Sequence, residues 1–221
     1  MNSLDIFQLL QLPFVQRVLL GGILLALLSG MIGFFVSLRR GHFFGEALAH
    51  SALAGIALGI LWRLNPLLIA LCYALLISWL LPWLQRLSKL ELNNLLGIIL
   101  PFSMGLGVIL FSLDPAYQPE LISFLFGSIV WITWTDIWFL GGLTLVCGLF
   151  LIKFFPHLTL LSIDLQYARL LGVRSGFYNL IYHFLLALTI IAGVRLAGVV
   201  LINALLIIPV SIAKLQSESL K

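Results

Sequence analysis

Charge is what this 221-residue chain has least of. Only 9% of its residues are Asp, Glu, Lys or Arg, against about 25% in an ordinary soluble domain. Apolar residues make up 62%, and the mean hydropathy is +1.17. A soluble core of this size could not hide so much apolar surface, which excludes a soluble enzyme and a disordered protein. Cysteine is almost missing as well. Cys72 and Cys147 stand singly in apolar runs and form no C-x-x-C pair. A disulfide scaffold, a zinc knuckle and a dithiol redox centre are therefore excluded, and both thiols are expected as buried packing residues. No Arg/Lys stripe interleaved with aromatics is present, so no nucleic-acid partner is expected. The net charge of +4 reads instead as basic loops beside a membrane.

What is present is a series of long apolar runs, and about 20 such residues cross a bilayer. The runs are Val15–Leu38, Phe43–Trp62, Leu67–Leu84 (opened by Pro66), Leu92–Leu113 (with Pro101 inside) and Ile137–Phe155. The first is too long for a signal peptide and lacks a small-residue cleavage site. Between the fourth and fifth lie a polar turn, Asp114–Glu120, and a short Gly/Trp-rich run, Leu121–Trp134. That run reads as re-entrant or interfacial. Pro156 to Gly176 is the longest amphipathic stretch. Phe177–Ala213 is too long for one crossing, and Arg195 is expected to divide it into helices of roughly 177–194 and 196–213. The fold class is thus all-α, a polytopic bundle of about seven spans plus the re-entrant segment, in one transmembrane domain over residues 1–221.

Basic residues orient the bundle. With the N-terminus outside, the cytoplasmic side holds Arg39, Arg40, Arg86, Lys89, Lys153, Arg169, Arg174, Lys214 and Lys221, and the other side only Arg17, Arg63 and Arg195. This asymmetry satisfies the positive-inside rule and puts the 156–176 stretch in the cytoplasm.

Ionisable residues inside a span are costly and need a reason. Glu46 and His50 lie four apart in the second run, on one helix face. A carboxylate and an imidazole so spaced can share one divalent metal ion, and the N/O donor set suits zinc or manganese better than calcium or magnesium. On a neighbouring stripe, Ala47, Ser51, Gly55 and Gly59 let another helix approach closely. The alternative is that Glu46 and His50 merely bond each other or lie at an interface. His183 in the sixth span is a secondary candidate for the pathway, or a packed histidine. Asn203 is a second such candidate, or a polar residue that bonds across helices. His42 and His157 are expected at headgroup level, His157 just past a helix end. Ser162 or Asp164 starts a short helix that closes at Gly172. No G-x-x-x-x-G-K-[ST], H-E-x-x-H or G-x-S-x-G occurs, so no catalytic residues are assigned, and if ATP drives the protein another chain binds it.

Four segments, in order, carry a resemblance. They are Gly33 through Arg40 with Phe43–Gly55, then Leu95–Ile98, then Ser162–Asp164 with Ala168-Arg169 and Leu171–Val173, and last Arg195–Pro209. In these the chain resembles the membrane permease subunits of bacterial ABC-type zinc and manganese importers. The resemblance implies a multi-pass protein of the bacterial cytoplasmic (inner) membrane that imports a divalent metal ion, zinc ahead of manganese, with no permanently bound cofactor. It implies three protein partners: a cytoplasmic ABC ATPase subunit that holds the ATP, a periplasmic or surface metal-binding protein, and a second permease copy. Glu46 and His50 would line the metal pathway. Asp164, Ala168, Arg169, Gly172 and Val173 would form the segment that couples to the ATPase. Family members usually run two or so helices past the Pro209 region, so the chain is expected to lack the family's last helices. The alternatives are a permease for an iron chelate or cobalamin, which would need no bare-ion ligands, and a truncated membrane scaffold that transports nothing.

Overall fold

A computed structural model describes residues 11–39, 41–88, 90–113, 127, 132–173 and 175–216, apart from the side chains of His42, Arg86, Leu165 and Arg169. All regular structure among them is helical: α1 Pro13–Leu38, α2 His42–Leu61, α3 Pro66–Ser88, α4 Leu92–Ser112, α5 Trp134–Ile163, α6 Leu165–Leu170 and α7 Ser175–Gln216. All but α6 are long and apolar enough to cross a bilayer. A helix satisfies its backbone polar groups internally, which hydrocarbon demands. Local chemistry sets the starts. Pro13 opens α1 where its missing N–H costs nothing. Asn65 precedes Pro66 and accepts from the Leu67 and Leu68 amides at 3.1 and 3.4 Å, capping α3.

The helices form two groups. In one, α2 packs between α3 and α4; in the other, α1 packs between α5 and α7. α7 joins the groups by touching α2 and α3 as well. α2 is the most enclosed of the six long helices, because its small residues admit close neighbours. A β-carbon on Gly55 would sit 2.5 Å from Ala70 Cα, and one on Gly59 2.6 Å from Pro66 Cα, so no larger residue fits where α3 crosses.

At 42 residues, α7 would be about twice the hydrocarbon thickness if straight. It is two arms broken at Gly198, whose φ of 81° and ψ of 165° suit glycine alone. Ile202 of the second arm lies on Gly193 of the first, so the chain doubles back. The expected division at Arg195 is thus displaced to Gly198. A charge does not stop a helix, whereas a positive φ does, and Arg195 stays helical by finding a carboxylate. The first arm runs from the end of the bundle that holds Arg39 to the end that holds Arg195. The second returns, bringing the Leu206 carbonyl onto Gly33 near the end of α1.

α5 is longer than expected. Its 30 residues span about 45 Å, and Pro156 does not stop it. The 156–176 stretch is therefore not one amphipathic element but the last two turns of α5 followed by α6. His157 lies within α5, stacked on Tyr178 at 5.2 Å, and not past a helix end. Cys147 is buried as expected, but Cys72 is exposed on α3. The outer face of a spanning helix meets lipid, where an apolar side chain need not be covered. The polar turn and most of the re-entrant run lie outside the described residues. Gly127 is described, and it abuts Ala197 and Gly198 at the break in α7.

Candidate metal pathway and coupling helix

Glu46 and His50 sit one turn apart on α2, both half-buried. No hydrogen bond or ion pair joins them among the described residues. His50 Nδ1 is buried and has no partner there, an orphan of the kind that costs free energy unless something binds it. The stripe beside them divides its work. Ser51 donates to the Ala47 carbonyl at 2.6 Å and lies 3.5 Å from Ser103 Oγ on α4, while Gly55 and Gly59 face α3. Glu46 and His50 are thus carried on a rigidly packed helix, with their own face left partly open.

His183, on the first arm of α7, lies against Phe44 at 4.9 Å and Tyr182 at 5.5 Å between ring centroids. Asn203 is half-buried on the second arm, and its side chain makes no hydrogen bond among the described residues. No cluster of three or more His, Cys, Asp or Glu residues able to hold a metal occurs among them. Glu46 and His50 could offer a metal ion two donors from this chain, fewer than the four of a closed structural site.

The short helix α6 starts at Asp164, whose Oδ1 accepts from the Gln166 and Tyr167 amides, both at 2.9 Å. Of the two expected starts, Asp164 is the cap, and Ser162 belongs to α5. Gly172 takes φ 74°, and the Val173 amide donates to the Ala168 carbonyl at 3.1 Å, closing the helix in a Schellman turn. Ala168 is fully buried, while Leu170 and Leu171 are exposed at 84% and 59%. The helix thus pairs one buried small residue with an exposed apolar tip.

Two arginines tie the bundle together. At one end Arg195 Nη1 meets Asp136 Oδ1 at 2.8 Å. Asp136 also accepts from the Thr133 amide at 3.0 Å and hydroxyl at 2.7 Å, completing the capping box that opens α5. At the other end Arg39 Nε donates to Ser162 Oγ at 3.0 Å, Nη1 donates to Asn179 Oδ1 at 2.9 Å, and the guanidinium covers the Tyr182 ring at 4.2 Å. Burial lowers the Arg39 pKa below its ordinary value, yet a guanidinium keeps its proton. Sequence reasoning used both arginines for orientation and for the resemblance, and Arg195 to divide the last run, but it gave neither a partner and missed Asp136. The Thr133-x-x-Asp136 spacing before an apolar run was the signal for it.

The model of the ABC 3 transport family matches residues 11–221. The chain belongs to this family. It is 36% identical to the manganese transport system membrane protein MntC of Bacillus subtilis, over 96% of this chain and 51% of that one. It is 33% identical to the high-affinity zinc uptake system membrane protein ZnuB of Haemophilus influenzae, over 89% of this chain and 75% of that one. Among solved structures, PsaBC from Streptococcus pneumoniae in complex with Fab superposes with a TM-score of 0.83 at 28% identity, covering 97% of this chain and 77% of that one. As an ABC 3 family member with six long apolar helices, the chain is a multi-pass protein of the bacterial inner membrane.

Proposed function

We propose that this chain is the permease subunit of an ABC importer of a divalent metal ion, zinc or manganese. The observation that carries the reading is the Glu46–His50 pair, two ionisable side chains within a membrane helix that do not bond each other, with one imidazole nitrogen buried and unpartnered among the described residues. The family and the transport systems named for its relatives support the metal as cargo. A chelated cargo would give this pair nothing to do.

In this reading the Arg39 end faces the cytoplasm. A metal-binding protein delivers the ion at the Arg195 end, and Glu46 and His50, facing their counterparts in a second copy, hold it in passing. A separate ATPase subunit docks on α6, whose Asp164 cap and Gly172 turn present the exposed leucines. The chain itself hydrolyses nothing. The test is uptake of radioactive zinc and manganese by transporter-deficient cells that express the permease with its ATPase. Glu46→Gln and His50→Ala are each expected to reduce uptake to background while membrane insertion is unchanged. Unaltered uptake of both isotopes in both variants overturns the reading.

A further inference from the structure

Among the described residues, Arg39 alone bonds both flanks of α6. Ser162 lies two residues before the Asp164 cap, and Asn179 lies in the first turns of α7. The Ser162 hydroxyl already donates to the Leu158 carbonyl at 2.6 Å, so it offers the arginine a lone pair. No carboxylate answers the guanidinium among the described residues. It lies beside the last residues of α1, which it follows, and of α5, whose Ser162 it bonds, where helix dipoles favour a cation, and over the face of Tyr182. Nη2 is buried and has no partner among the described residues. Neutral acceptors and a spare donor make a joint that can exchange contacts, where a buried carboxylate would make one deep well.

Two connections lead from this joint to α2. The chain itself passes from Arg39 to the start of α2 within three residues. A ring sequence runs in parallel: Arg39 over Tyr182 at 4.2 Å, Tyr182 to His183 at 5.5 Å, and His183 to Phe44 at 4.9 Å. Phe44 stands two residues before Glu46. We infer that Arg39 is a positioning residue that transmits displacement of α6 to the Glu46–His50 segment of α2, through the chain and through the Tyr182–His183–Phe44 contacts. His183 then serves as a packed link in this path and not as a metal ligand.

The inference rests on the proposed function, and the experiment separates the two. Permease and ATPase subunit are reconstituted in proteoliposomes, and metal uptake and ATP hydrolysis are measured in one sample. Arg39→Gln is expected to keep assembly and hydrolysis but to lower metal moved per ATP by about tenfold, the factor one charge-assisted hydrogen bond is worth. Arg39→Lys, which retains the charge, is expected to recover part of the ratio. An unchanged ratio in Arg39→Gln, including uptake and hydrolysis falling together, overturns the inference. If Arg39→Gln does not assemble, Asn179→Ala decides, since it removes one flank bond and leaves the arginine; a lowered ratio supports the inference and an unchanged one overturns it. A wild-type permease that moves no metal overturns the proposed function instead.

Discussion

Arg39 and Arg195 stand at opposite ends of the bundle and are held in opposite ways. Arg195 is half exposed and pairs at 2.8 Å with Asp136, a buried carboxylate whose other oxygen caps α5. Arg39 is more deeply buried, yet it meets a serine, an asparagine and an aromatic face. The less buried cation thus has the stronger partner. The Asp136 end joins the start of α5 to the first arm of α7 as a clamp. The Arg39 end joins α1, α5 and α7 where α6 hangs between the last two, and its neutral partners can be traded. In the inferred coupling, the Asp136 end holds and the Arg39 end yields.

The comparison breaks most visibly at the clamp. Asp136→Ala removes the ion pair and half of the capping box at once, and it leaves Arg195 without a partner. Cap loss is worth about 1 kcal/mol and the partly buried pair about as much again. The purified permease is expected to melt about 5 °C lower in a thermal-shift measurement, with metal moved per ATP unchanged. A fall in that ratio would show that both ends couple and would erase the distinction. A smaller and opposite effect sharpens it. Asn179→Asp places a carboxylate where Arg39 Nη1 already donates at 2.9 Å, converting the joint into a clamp. Its melting temperature is expected to rise by about 2 °C, as one added ion pair allows, while ATP-driven uptake slows. Faster uptake in the stiffened variant would contradict a joint that must yield.

Hydropathy made the spans legible, because lipid relieves a crossing helix of the need for a polar face. The five runs before α7 became α1 to α5, with shifts of a few residues at their ends except at the C-terminal end of α5. Boundaries set by backbone geometry were harder to read. Arg195 looked like the end of a crossing, but its carboxylate lies 59 residues upstream, and Gly198 makes the break. Pro156 looked like the end of α5, yet the helix runs on to Ile163. For the candidate site, Glu46 and His50 stood out because charge inside an apolar run needs a reason. Arg39 did not, since its partners are 123 and 140 residues away and both are neutral. Only the fold brings them together.

The most direct measurement looks at the ion itself. Purified permease is titrated with Mn²⁺, and the coupling of a bound imidazole nitrogen to the metal is read by electron paramagnetic resonance in frozen solution. With Glu46 and His50 as the pathway ligands and His183 as a packed link, the nitrogen coupling is expected in the wild type, retained in His183→Ala and lost in His50→Ala. A coupling that survives His50→Ala, or that is lost in His183→Ala, would contradict the account.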